Sequence, residues 1–253
     1  MIRISKQIHG TEMTTVWFAN EEIRDKGIIV YKESKNSFPG SEPFETLISD
    51  LTQSKEDITA KFAKNCKYKI KRAIRENVKI ELPDSVGTSN ETINEFLDFF
   101  DRFWKSKGVD TLDVDALREE MCAYRDIGAL TIAKAVIDSE TVVYHTHIFD
   151  DKCARLLHSA SLFRLNDEED SGKKNLIGMA NRLLHQEEMF YFKDKGIAQY
   201  DWGGAGHNEE VASITDFKES FGGDYVTYYD GKIENGIKAK LIVTASQMKQ
   251  RNS

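Results

Sequence analysis

The chain has 253 residues, 40% of them hydrophobic and 30% charged, with a formal net charge of −7. That is the composition of a globular protein long enough to bury a core, in one large domain or two small ones. The acidic balance excludes a general attraction to DNA or to an anionic membrane surface, and no apolar run approaches the roughly 20 residues of a membrane span.

The N-terminus, MIRISKQIHG, lacks the hydrophobic stretch of a secretory signal. Cys66, Cys122 and Cys153 are odd in number and have no metal-ligand spacing. Together these set the expectation of a cytoplasmic protein with reduced, core-filling thiols, no metal and no membrane span.

In chain order, Thr14 to Phe18 and Gly27 to Tyr31 are rich in β-branched and aromatic residues and read as strands, with Asn20 to Lys26 as a polar turn between them. Lys32 to Glu42 holds the breakers Asn36, Pro39 and Gly40 and reads as a loop. Phe44 to Leu51 fits a strand better than a helix. Phe62, Cys66, Ile70 and Ala73 then recur at helical spacing, with Lys61, Lys64, Lys67, Lys71, Arg72 and Arg75 on the rest of the surface. This basic face reads either as a phosphate-facing surface, for a nucleotide or RNA, or as a solvated face whose long stems cover apolar groups.

Val78 to Leu82 is a short strand. Asn90 caps a helix whose stripe is Ile93, Phe96, Leu97, Phe100 and Trp104, an aromatic row that belongs to a core. Asp113 to Arg125 is a second helix, with Leu117 and Met121 inward. From Gly128 the character changes. Ala129 to Ile137, Thr141 to Phe149 and Ala154 to Phe163 are three strands joined by hairpin-length turns. The expected division is therefore 1–127 and 128–253, with Lys238 to Ser253 as a short terminal helix.

The stretch from Gly172 to Gly223 organises the second half. Ile177, Ala180, Leu184 and Tyr191 form an apolar helical stripe, and Lys193, Lys195 and Gly196 end it. A strand from Ile197 to Trp202 breaks at Gly203-Gly204. After a polar stop at His207 to Glu210, a last helix carries Ile214, Phe217 and Phe221. Chemistry in such units sits where the strand ends, which here means Tyr200, Asp201 and Trp202.

Asn181 on the long helix, Gly196, Tyr200-Asp201 with the glycine pair, the later FKESFGG and the earlier KNCKYKIKRAIRENV resemble FemAB-like proteins of the GCN5-related N-acyltransferase (GNAT) superfamily. The resemblance implies an α/β (α+β) fold: a GNAT-like mixed, largely antiparallel sheet flanked by helices. It also implies that 1–127 is a reduced second GNAT-like unit and that 128–253 binds acyl-CoA.

On that resemblance the strand from Ala154 to Phe163 splays to hold the pantetheine arm of coenzyme A, and the next helix, starting near Asn175, takes the pyrophosphate at its N-terminus. Unpaired amides at the positive end of a helix dipole attract anions. The coenzyme residues implied are Ser159, Ser161, Arg164, Lys173, Lys174, Asn175 and Asn181. The glutamine or arginine and glycine-rich run usual in this loop of the superfamily is absent.

Acyl transfer to an amine needs a held thioester, a proton acceptor and a polarised carbonyl. The titratable candidates are His145, His147, His158, His185 and Asp201. His145 and His147 share a strand face, and His145 is preferred. His158 alternates with Leu156, Ala160 and Leu162, which fits a core histidine. His185 fits the long helix as a site or a surface residue. Asp201 is either a carboxylate facing a crevice or a turn-former before glycine.

No nucleophile is evident, so the amine attacks directly. The expected acceptor is a nucleotide-linked amino sugar, held by Lys71, Arg72, Tyr200, Trp202, Gly203 and Lys218. A homodimer stays open. Two alternatives remain: a tRNA-dependent aminoacyltransferase, in which the basic helix binds RNA, and a non-catalytic binding module.

Overall fold

The computed structural model describes residues 1–83, 88–109, 112–164, 171–206 and 212–243. The chain divides into two units, Met1–Thr46 with Tyr225–Ser253, and Leu47–Asp224. Residue 127, where the sequence changes character, lies inside the second unit. The expected polar stop at His207 to Glu210 and the tail beyond residue 243 fall outside the described residues.

In the first unit, β1 (Ile2–Ile8) and β2 (Thr11–Trp17) form an antiparallel hairpin in which Ile2 faces Trp17 and Ile8 faces Thr11. Residues 1 to about 32 read as short strands from the sequence, and β1 is one of them, although Arg3, Ser5, Lys6 and Gln7 dilute its pattern. β2 then pairs in parallel with β3 (Gly27–Ser34), so residues 18–26 are a crossover rather than a hairpin turn. β3 pairs antiparallel with β10 (Asp224–Asn235). Val16, Ala19, Ile29 and Tyr31 make the core of this unit, with Ile23, Phe38 and Ile233 packed on it. The Tyr31 hydroxyl accepts the Ile23 backbone N–H at 2.7 Å.

The second unit carries a six-stranded sheet in the order β4 (Glu42–Asp50), β9 (Gln199–Asp201), β8 (Cys153–Ser161), β7 (Glu140–Phe149), β6 (Leu130–Ile137), β5 (Lys79–Glu81). All neighbours are antiparallel except β8 and β9. Side chains alternate across a strand, and β7 shows the consequence. Tyr144 packs on Phe96 and Phe99 of α3 (Asn90–Lys105), with ring centroids 5.9 and 5.0 Å apart. His145 and His147 point instead to the face covered by α5 (Ser171–Asp194).

Helix starts follow capping chemistry. Ser54 accepts the Asp57 N–H at 3.0 Å before α1 (Lys55–Ala60). Ser89, one residue ahead of the expected Asn90, accepts the Thr92 N–H at 3.1 Å before α3. Asp113 accepts the Ala116 N–H at 2.9 Å before α4 (Val114–Asp126).

The basic helix is α2 (Lys64–Arg75), with Cys66, Ile70 and Ala73 buried as its spacing predicts. On α5 the inward residue near the end is Phe192 rather than Tyr191. That helix begins at Ser171, four residues before the expected start, so Gly172 to Asn175 form its first turn instead of a preceding loop.

Candidate functional site

The β8–β9 ladder is short. It ends at Arg155 facing Asp201, while β8 continues to Ser161. On its other edge β8 carries a β-bulge: Thr146 faces His158, but His147 faces Leu156, which leaves Leu157 as the extra residue. The bulge resets the alternation, so Leu156, Ser159 and Ser161 all face one way. His158 turns to the opposite side, 4.9 Å from the Phe100 ring and 6.0 Å from Phe96. The strict alternation expected from sequence, with His158 and Leu156 on one face, is corrected by this single inserted residue.

The break after β9 is tight. Gly203 adopts a φ of +71°, and a Cβ there would lie 2.4 Å from the Leu156 carbonyl oxygen, so only glycine fits. Asp201 Oδ1 accepts the Gly203 N–H at 2.8 Å, a short local turn.

Between β8, α5, Trp202, α6 (Ala212–Glu219) and the end of α3 lies a cavity of about 490 Å3, a size ordinary for a small-molecule site. From α5 it takes Gly178, Asn181, Arg182 and His185, the i, i+3, i+4, i+7 face of a helix. Its apolar wall is Phe103, Leu156, Phe163, Ile177, Trp202, Ile214 and Phe217. Its cations are Lys107, Arg182 and Lys218, and no carboxylate is among its described lining residues. The Arg182 guanidinium lies 4.4 Å from the Phe217 ring centroid, and burial pushes its pKa down.

Behind the cavity wall is a buried polar cluster. His145, His147 and Tyr200 are 0% exposed, Glu188 1% and His185 2%. His145 Nδ1 lies 3.0 and 2.9 Å from the two Glu188 oxygens, and its Nε2 lies 2.9 Å from Asn181 Oδ1. The Tyr200 hydroxyl lies 3.1 Å from Glu188 Oε2, 3.0 Å from His147 Nε2 and 2.8 Å from His185 Nδ1.

Burial is the main influence on His147, His185 and Tyr200. It lowers His147 to about 4 and pushes His185 well below the usual histidine value. It also raises Tyr200 well above the usual phenol value, an effect that the nearby Glu188 reinforces. His145, His185 and Glu188 offer ligand atoms within 4.8 Å of one another and have the composition of a metal site. His145 and Glu188 also satisfy each other as hydrogen-bond partners, and His185 Nδ1 meets the Tyr200 hydroxyl.

The expected site residues separate into three groups. Ser159, Ser161, Asn181, Trp202 and Lys218 line the cavity. Trp202 is fixed by a 3.0 Å bond from its Nε1 to Ser49 Oγ, and the Lys218 ammonium donates to the Gly204 carbonyl. His145, Tyr200, Asp201 and Gly203 lie behind or beside the cavity and do not line it.

The remaining residues are placed elsewhere. Lys173 pairs with Glu140 at 2.9 Å, and with Lys174 and Asn175 it occupies the first turn of α5 away from the cavity. Arg164 closes the 3-10 turn after β8. Lys71 and Arg72 are exposed on α2, Arg72 beside Glu76 at 3.5 Å.

His185, left open as a surface residue by the sequence, is buried between Tyr200 and Trp202. Glu188, Arg182 and Gly178 were not singled out. Their signal was spacing, for Glu188 falls on the inward stripe with Ile177 and Leu184, where a carboxylate is out of place unless paired.

No protein-family model matches the chain, and no curated protein matches it by sequence. Solved structures do resemble it. FemX is similar with a TM-score of 0.58 at 12% identity, over 78% of this chain and 62% of FemX, so the chain spans less than two thirds of that protein. A conserved protein of unknown function from Bacteroides thetaiotaomicron is similar with a TM-score of 0.51 at 11% identity, over 77% of this chain and 61% of the other. L-PGS from Bacillus licheniformis gives 0.50 at 13%, over 87% and 72%. At such identities the likeness is one of fold: the chain has a FemX-like mixed α/β fold with a largely antiparallel sheet flanked by helices. No described helix is long and apolar enough to cross a membrane.

Proposed function

We propose that the chain is an N-acyltransferase that moves an acyl group from acyl-CoA to the amine of a nucleotide-linked amino sugar in the cytoplasm. One observation carries this reading: the cavity opens where β8 parts from β9 beyond Arg155, against the α5 face bearing Asn181 and His185. A strand edge released from its ladder offers backbone donors and acceptors to an extended amide-bearing ligand such as a pantetheine arm. The acceptor class follows from charge. A cavity with Lys107, Arg182 and Lys218 and no described carboxylate suits a phosphate-bearing amine and disfavours a polycationic one.

Asn181, whose Oδ1 meets His145 Nε2 at 2.9 Å and which lines the cavity, is the residue we assign to hydrogen-bond the thioester or acceptor. The test is thiol release from acetyl-CoA across a panel of nucleotide-linked amino sugars. Turnover with at least one, and none with aminoglycosides, supports the reading. Turnover only with polycationic amines sinks the acceptor class.

A second reading, transfer from aminoacyl-tRNA, is favoured by the FemX likeness and by α2, whose Lys71 and Arg72 are exposed outside the cavity. RNA binding that weakens steeply with salt would support it.

A further inference from the structure

Resting on the acyl-transfer reading, we propose that His185, not His145, is the base of this site. Tyr200 fixes its Nδ1–H inward and leaves its Nε2 lone pair open to the cavity. The Tyr200 hydroxyl meets His185 Nδ1 at 2.8 Å, His147 Nε2 at 3.0 Å and Glu188 Oε2 at 3.1 Å. A phenol has one proton to give, and a carboxylate can only accept. The phenol proton therefore goes to Glu188, and both ring nitrogens donate to the phenol oxygen. A neutral imidazole carries one N–H, so His185 protonated at Nδ1 keeps its lone pair at Nε2.

Of the three buried histidines among the described residues, only His185 lines the cavity. His145 has both nitrogens engaged, by Glu188 and Asn181, and the second nitrogen of His147, Nδ1, is buried without a partner. Trp202 and Phe217 flank the His185 ring at 4.7 and 5.6 Å.

The groups around His185 keep it neutral. Burial acts first, followed by His145 and His147 from β7, Lys218 from α6 and Arg182 from its own helix. Glu188 and Tyr200 face its Nδ1 side. The amine nitrogen bonds to the thioester carbon, and the carbonyl pair moves to oxygen. Nε2 takes the proton from the resulting, strongly acidic ammonium. When the C–S bond breaks, that proton passes to the departing thiolate, giving amide and thiol with nothing left over. Glu188 and Tyr200 are positioning residues in this scheme.

The test reads the tautomer directly, by 1H–15N NMR of protein carrying 15N-histidine, from pH 8 to 6. His185 is assigned by loss of its signals in His185→Gln or, if that variant does not fold, by elimination with the other five histidines changed to Gln one at a time. The expected spectrum shows His185 protonated at Nδ1 alone over the whole range, with its Nε2 signal displaced by added acetyl-CoA. In Tyr200→Phe the Nε2–H form should become populated, a change that mere packing loss does not produce. An Nε2–H or imidazolium His185 in the unaltered protein overturns the proposal. So does a stoichiometric metal ion in the purified protein, which would take the Nδ1 lone pair. A protein with the expected tautomer that binds no acetyl-CoA removes the donor reading and leaves the base assignment standing.

Discussion

Replacing Glu188 with glutamine tests the buried cluster at its centre. Glu188 takes His145 Nδ1 on both oxygens and the Tyr200 hydroxyl on one. Glutamine keeps the shape but has one acceptor oxygen, so its amide N–H must face one of those donors. A buried donor left without an acceptor costs about 1–3 kcal/mol, and removing the charged partner of a buried pair brings losses to about 3–5 kcal/mol. Glu188→Gln should therefore lower stability by about 3 kcal/mol, which is roughly 6–12 °C in Tm for a chain of this size. Urea denaturation followed by tryptophan fluorescence reads the change, with Glu187→Gln, half-buried one residue away, expected within about 0.5 kcal/mol. A loss below about 1 kcal/mol would refute the reasoning, because the carboxylate would then not be what holds His145 and Tyr200 in place.

Stability should fall as pH drops from 6.5 to about 4. Folded His147 and His158 both titrate at about 4, below the ordinary 6.5, so the unfolded chain binds more protons across that window. Each group accounts for on the order of 3 kcal/mol, and His158→Phe, which can stack on Phe100, should remove its share of the slope in urea titrations at pH 7 and 4.5. Gly203→Ala should destabilise by about 2 kcal/mol or more, since its methyl meets the Leu156 carbonyl at positive φ, a loss visible in thermal melts. Lys107→Glu should weaken acetyl-CoA binding by about tenfold at low salt, with the difference shrinking as salt is added. His185→Gln should lower kcat for amine acylation by about 100-fold or more while leaving the acetyl-CoA dissociation constant within a factor of about two.

The sheet strands from Leu130 to Ser161 were legible as apolar, β-branched runs bounded by hairpin-length turns, with β6 and most of β7 buried on both faces, and the helices α2 to α5 by their apolar stripes at helical spacing. What was not legible has identifiable causes. A bulge has no composition of its own, so nothing in ARLLHSAS announces that Leu157 is extra and that Ser159 joins Leu156 on the cavity side. The parallel pairing of β2 with β3 depends on a crossover of ordinary polar residues. Asp201 looked poised because it precedes two glycines, yet its Oδ1 holds the turn by bonding Gly203. His145 was visible as one of a same-face pair, but its distance from the cavity depends on Asn181 and His185, which come from another element. The contribution of Phe103 on α3 and of Lys107 just past its end was hidden because it requires knowing where that helix ends against β8.

The proposed function stands or falls on whether the cavity beside β8 and α5 receives the acyl donor. Gly178 lines that cavity, and a Cβ there would meet no atom within 4 Å, so a larger side chain grows into open space. In a helix interior leucine is favoured over glycine by about 0.8 kcal/mol, so Gly178→Leu should fold at least as well as the unaltered protein. Calorimetric titration of acetyl-CoA into both proteins is the most direct measurement. The account predicts micromolar binding, about −8 kcal/mol, to the unaltered protein and a loss of about tenfold or more in folded Gly178→Leu. No binding to the unaltered protein, or equal binding to both, would contradict it.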